Sequence, residues 1–330
     1  MALSHAGKTL KRFGIDPYMV LLVSTVVLAT FLPARGNLAG GLSNITYWAV
    51  ALLFFLYGAK LSTATIADGL TNWRLQSLCL LCTFALFPLL TLLISPIVGG
   101  ILPAAIGVGF LYIGCLPSTV QSSIAFTSVS NGNVAGAICA ASLSNLIGVV
   151  LSPLLLSLLI ATQSDLTIDP SAIWKICQQI LLPFVVGQLC RPILSGFLNR
   201  HKLPTMIVDR GSILLIVYAA FSAGVVNGIW QLISLESLAI IISLCALILI
   251  VVMSVSVAAG KISGMPRPDN LALLYCGSTK SLATGLPMAG ILFAGQDISL
   301  IVLPLMIFHL MQLIVCAIIS QRPVWATQTA

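Results

Sequence analysis

Gly277-Ser278-Thr279-Lys280-Ser281 lies inside the apolar stretch 268–294, and Pro117-Ser118-Thr119-Val120-Gln121-Ser122-Ser123 lies inside the apolar stretch 101–130. Both are short, polar interruptions of long apolar segments, both contain Ser-Thr, and they stand about 160 residues apart. Outward from them, further apolar stretches run at about 17–33, 44–61, 73–95, 133–161, 172–198, 209–229, 236–260 and 298–320. A membrane-crossing helix needs ~20 apolar residues. Ten such segments and their short loops fill the 330 residues, leaving no polar insertion that could be a separate soluble domain. In lipid every backbone polar group must be satisfied within the fold, so such segments are helices or a closed barrel. Runs of this length without alternation exclude the barrel. An all-α integral membrane protein follows, as one transmembrane domain over 1–330.

Composition leads to the same class. Hydrophobic residues make up 59% of the chain and charged residues 7%, against about a quarter charged in a soluble domain. So few charges cannot cover a water-facing surface. The net charge of +7 could suggest nucleic acid, but its placement points to a bilayer. With the N-terminus inside, twelve of the fifteen Lys and Arg fall on one face: Lys8, Lys11, Arg12, Lys60, Arg74, Arg191, Arg200, Lys202, Arg210, Lys261, Arg267 and Arg322. Arg35 and Lys175 fall on the other face with Asp165, Asp169, Glu236 and Asp297, while Lys280 is inside a segment. That bias predicts cytoplasmic N- and C-termini in a bacterial-type inner membrane. The early basic residues and apolar run read as a retained first span rather than a signal peptide. All nine cysteines sit in apolar segments, where they act as small hydrophobes and imply no disulfide framework; Cys79-x-x-Cys82 lies in mid-helix without a redox context.

The two interruptions fall in the fourth and ninth of ten segments. Five segments per half is an odd number, so the halves, about 15–162 and 170–321, are expected to be inverted with respect to each other. Paired broken helices in inverted repeats point to a transporter's binding site. Candidate ligands are Pro117, Ser118, Thr119, Gln121, Ser122 and Ser123 at the first break, and Ser278, Thr279, Lys280 and Ser281 at the second. The bland alternative is that these hydroxyls only satisfy helix backbone at packed interfaces. Lys280 is the sharpest residue, because a lysine at the bilayer centre costs ~2.5–3.5 kcal/mol on insertion scales. No carboxylate lies deep in any segment, so its partners are expected among carbonyls, hydroxyls or an anionic ligand. Asn133, Asn145 and His309, the last near Gln312, are further candidates, each with a packing role as its alternative; Asp209 and Arg210 read as a cytoplasmic anchor and Asn227 as interfacial.

Five stretches then carry a resemblance: Leu53-Phe54-Phe55-Leu56-Tyr57-Gly58-Ala59-Lys60-Leu61, Pro117 to Thr127, Gly132-Asn133-Val134-Ala135, Cys276 to Ala283, and Leu303-Pro304-Leu305-Met306-Ile307-Phe308-His309. Over essentially its whole length the chain resembles the bile acid:sodium symporter family, in its SBF-like, YfeH-type branch. The resemblance implies ten helices in two inverted five-helix repeats, with a panel of helices 1, 2, 6 and 7 moving against a core of helices 3–5 and 8–10. Broken helices 4 and 9 would cross. It also implies a sodium site, and here the ligand set is incomplete. The family's third-helix Gln falls on Thr83, its Ser-Asn pair on Ser122-Ser123, two hydroxyl ligands on Ala137 and Ala141, a Glu near Tyr275, and a Gln-Asn pair on Thr279-Lys280. The expected function is secondary active transport of a small organic anion, with Lys280 standing in for the ion. A channel-like regulator of ion flux and an intramembrane enzyme using Ser281 and His309 are the alternatives. No cofactor, no metal site and no nucleic-acid partner are expected.

Overall fold

The computed structural model describes residues 17–60, 71–163, 174, 177–226, 228, 231, 233–294 and 296–321. Lys8, Lys11, Arg12, Asp165, Asp169, Lys175, Asn227 and Arg322 lie outside the described residues. Among those described, the regular structure is entirely helical. The helices are α1 (Pro17–Phe31), α2 (Asn37–Lys60), α3 (Trp73–Ile101), α4 (Ala104–Cys115), α5 (Gln121–Val129), α6 (Val134–Gln163), α7 (Leu182–Arg200), α8 (Lys202–Val226), α9 (Leu235–Ile262), α10 (Arg267–Ser278), α11 (Leu282–Leu292) and α12 (Ile298–Ser320). A single π turn, Cys82–Leu86, interrupts α3, and another, Cys177–Leu181, leads into α7.

Seven helical stretches among the described residues are long and apolar enough to cross a membrane: α2, α3, α6, α8, α9, α12 and the stretch Gln178–Leu198 that includes most of α7. The shorter pieces are α1 and the two pairs α4/α5 and α10/α11 on either side of the sequence interruptions. The third segment runs on to Ile101 rather than ending near 95, because Pro96 inside it is accommodated and the chain turns only at Leu102-Pro103.

Two groups of helices make most of their contacts among themselves, and α8 joins them by touching α11 and α12. In the first, α2 lies against α7, and α8 against α1 and α2. The α2–α7 contact is backbone on backbone. A Cβ on Gly58 would stand 2.0 Å from the Phe184 carbonyl oxygen, and one on Gly187 would stand 2.0 Å from that of Phe55. Small residues permit this approach where lipid supplies no hydrophobic drive between helices. In the second group, α3 packs on α4, α4 on α12 and α6, and α9 on α10 and α12. The turns within it are tight. α9 closes with Gly264 at φ +63°, Met265 N–H donating to Gly260 O and Gly264 N–H to Lys261 O. That is the Schellman arrangement, which wants a residue free to adopt positive φ. α5 closes the same way through Asn131 at φ 55°. The Asp269 carboxylate in the first turn of α10 accepts from Asn72 Nδ2 and Asn133 Nδ2, both at 2.7 Å. It thereby ties together the starts of α3, α6 and α10, and gives Asn133 a structural task at that helix start.

Candidate functional site

Each broken pair is interrupted for a local reason. Pro117 has no N–H to offer Ile113 and disfavours helical geometry at Leu116, whose φ −74° and ψ 152° are extended. Residues 116–120 therefore leave the helix. Gly148 of α6 makes room for the proline ring, since a Cβ there would stand 2.8 Å from Pro117 Cβ. The second break has no proline within it. α10 ends at Ser278, Thr279 is extended at φ −108° and ψ 152°, and α11 begins with Ser281 as its cap, the Ser281 hydroxyl accepting from Thr284 N–H. Gln312 of α12 holds this break open. Lys280 N–H donates to Gln312 Oε1 and Gln312 Nε2 donates to Lys280 O, both at 2.8 Å. One buried amide thus satisfies both backbone groups of Lys280, as burial demands.

The two breaks meet. Ser281 N–H donates to Pro117 O at 2.8 Å. The hydroxyls of Ser118, Thr119 and Ser123 lie 3.1, 3.0 and 2.8 Å from Thr279 Oγ1. Ser122 donates to Thr119 Oγ1 at 2.7 Å, extending the cluster by one member. Asn145 of α6 joins in, its Nδ2 donating to Ser118 O at 2.8 Å and its Oδ1 accepting from Thr284 Oγ1 at 2.9 Å. Ser144 accepts from Ser118 N–H at 3.0 Å. Ser278 is buried but turns its hydroxyl back to Leu274 O of its own helix, outside the cluster.

Lys280 is wholly buried, and its ammonium donates to three carbonyls: Thr83 O at 2.8 Å, Gly114 O at 2.9 Å and Leu116 O at 2.6 Å. An ammonium has three N–H donors, so the set is complete. The Phe87 ring adds a cation–π contact, its centroid 4.0 Å from Nζ. These carbonyls are free for a reason written in the chain. In the π turn Phe87 N–H bonds to Cys82 O, and the next candidate donor to Thr83 O would be Pro88, which has no N–H. Gly114 O loses its usual partner because Ser118 N–H is spent on Ser144 Oγ. Leu116 O lies within the break. Gly114 and Leu116 stand at the C-terminal end of α4, whose partial negative charge suits an ammonium. Thr83 therefore takes part through its carbonyl; its buried hydroxyl has no hydrogen-bond partner. The resemblance placed a side-chain ligand at that position, and the structure uses the main chain instead.

The opposite ends of the breaks face a cavity of about 560 Å³. The N-termini of α5 and α11 open onto it through Gln121, Ser122, Leu282 and Ala283, and it reaches Lys60 and Arg210 on the first helix group. Phe54, Tyr57, Phe126 and Leu310 give it an apolar wall, and among the described residues no Asp or Glu lines it. Asn145 and His309 line it, while Lys280 does not. A second cavity, of about 1030 Å³, enters from the other end of α8 and α11, past Arg35, Gln178, Ser222 and Leu286. The sequence reading named Gln312 only as a neighbour of His309, did not single out Ser144, and could not see the carbonyl triad. The one visible signal for Gln312 was an amide three residues after His309 in an otherwise apolar helix.

Against known proteins, the family model described as the SBF-like CPA transporter family matches residues 16–324. The chain is 44% identical over 312 residues to a Pseudomonas aeruginosa protein named "Uncharacterized protein PA2026", covering 94% of this chain and 93% of that one. It is 44% identical over 314 residues to "Putative symporter YfeH" of Escherichia coli, covering 95% and 94%. It is 28% identical over 326 residues to sodium/bile acid cotransporter 7 of Rattus norvegicus, covering 94% and 93%.

Proposed function

The chain belongs to the SBF-like CPA transporter family, a membrane transporter family rather than an enzyme family, and on that premise we propose that it carries a small organic anion across a bacterial-type inner membrane by alternating access. Seven long helices, α1 and the two broken pairs make ten crossings, arranged as inverted repeats of five with both termini cytoplasmic. The group α1, α2, α7 and α8 is the moving panel, and the crossing point of the breaks is the hinge of access near the midplane. Two cavities reaching the panel–core boundary from opposite ends support that reading.

The observation that carries the proposal is a separation of charge across the crossing. The π turn of α3 and the C-terminal end of α4 hold the Lys280 ammonium in a carbonyl cage. The N-terminal ends of α5 and α11 open onto a cavity lined by Lys60 and Arg210 and, among the described residues, by no carboxylate. Helix N-termini favour anions and C-termini favour cations. Lys280 thus acts as a tethered cation in place of bound sodium, and the anion binds on the cavity side rather than on the lysine itself. Ala137 and Ala141, both buried, offer no side-chain oxygen for a free ion.

Counterflow in proteoliposomes tests the proposal. Vesicles preloaded with an organic carboxylate are expected to accumulate the labelled compound transiently and saturably, while its uncharged amide analogue neither enters nor competes. Uptake that is linear in concentration and shows no counterflow would instead identify a channel-like protein.

A further inference from the structure

Gln312 does more than hold the second break open. Its amide orientation is not free, because Lys280 N–H must meet an acceptor and Lys280 O must meet a donor, both at 2.8 Å. Oε1 therefore faces the Lys280 N–H, and Nε2 is left on the other side with two hydrogens. One goes to Lys280 O. The second points to His309 Nδ1, 2.9 Å away. A protonated Nδ1 would set N–H against N–H at that distance, so Nδ1 is an acceptor and the imidazole proton sits on Nε2. Nδ1 also lies 3.3 Å from Lys280 O, a contact in which it cannot donate without opposing Gln312. With Nδ1 engaged by Gln312, Nε2 is the ring nitrogen that remains to His309, which lines the cavity. Lys60, Arg210, Tyr18 and Tyr57 line the same cavity. Among the described lining residues none is a carboxylate.

We propose that Gln312 is a positioning residue that locks His309 as a neutral imidazole with its proton on Nε2, presented to the cavity as a fixed hydrogen-bond donor for the acidic head of the transported anion. The substrate half of this statement rests on the anion-transport reading, whereas the tautomer does not. The same amide couples the two sides of the crossing, since the backbone of the residue carrying the caged ammonium fixes the donor that meets the substrate.

The chain has three histidines, His5, His201 and His309, so nitrogen-15 labelling of histidine alone gives a readable spectrum. The full-length protein in nanodiscs at pH 7 is expected to show one ring in a pure Nε2–H tautomer, and that signal is assigned by its loss in His309→Gln. In Gln312→Met the ring is expected to become a mixture of tautomers. In Gln312→Glu, which keeps the size and so the fold, a carboxylate oxygen faces Nδ1 and is expected to draw a proton there. A native Nδ1–H form, or a pure Nε2–H form that survives both substitutions, would overturn the proposal. In counterflow, Gln312→Met is expected to raise the half-saturating carboxylate concentration about tenfold, the weight of about one hydrogen bond. An unchanged half-saturation beside a shifted tautomer would show that the donor does not meet the substrate. Absence of any transport in the native protein, with the tautomer as stated, would fault the anion-transport reading alone.

Discussion

Replacing Lys280 with Met is expected to abolish anion uptake and to lower the unfolding temperature clearly. Methionine keeps the length of the side chain and removes its three donors. The carbonyls of Thr83, Gly114 and Leu116 now share one ammonium, and all three would face one another without a partner. An unsatisfied buried polar group costs about 1–3 kcal/mol, so three amount to a loss of at least about 3 kcal/mol. Relief from burying a charge offsets part of that, as replacement of buried ions by apolar groups elsewhere shows. The function has no such offset. With the positive charge gone, nothing neutralises the negative end of α4 and the free Thr83 carbonyl, and the geometry that sets the two breaks against each other relaxes. Thermal unfolding in detergent and uptake in vesicles, measured on one preparation, separate the two effects. Native-like uptake by a folded Lys280→Met protein would reduce the lysine to a structural residue.

Pro117→Ala is expected to cost less stability than Lys280→Met while cutting function at least about tenfold. An alanine N–H at position 117 can donate to Ile113 O, and Leu116 is no longer pushed out of helical geometry. α4 can then run on toward α5, drawing Gly114 O and Leu116 O into helix hydrogen bonds and away from the ammonium. Pro117 O, which accepts from Ser281 N–H at 2.8 Å, moves as well. Hydrogen bonds to a charged group are worth about 1.5–3 kcal/mol each. Loss of one of them from the transporting state implies at least about a tenfold fall in uptake. The regained helix hydrogen bonds offset part of that loss in the folded state, so the unfolding temperature is expected to fall less than in Lys280→Met. A large loss of transport beside a small loss of stability is the signature that separates this variant from Lys280→Met. A large drop in stability with uptake intact would show that the break is scaffolding.

The breaks and Lys280 were legible because lipid makes polarity conspicuous: a proline, a run of hydroxyls or a lysine has no bland place in an apolar helix. The meeting of the two breaks followed from their matched positions. Asn145 and most of the candidate hydroxyls are gathered at the crossing of the breaks. Ser278 is not, because a hydroxyl in a last helical turn finds a carbonyl four residues back in its own helix before it finds another segment. The cage was illegible for a different reason. Every residue has a carbonyl, and only the π turn with Pro88 and the diversion of Ser118 N–H show which ones are free. The same holds for the anion side of the site. An accessible lysine would be the natural partner of an anion, yet burial of Lys280 behind its carbonyls leaves that part to helix ends, Lys60 and Arg210, which only the folded cavity brings together.

The central claim is that a tethered ammonium occupies the place of a bound sodium ion. The most direct measurement is the initial rate of carboxylate uptake into proteoliposomes under an inward sodium gradient, compared with an inward potassium gradient at equal ionic strength and with membrane potential clamped. The account predicts equal rates in the two salts, both abolished in Lys280→Met. Uptake that is driven by sodium and collapses in potassium would contradict it.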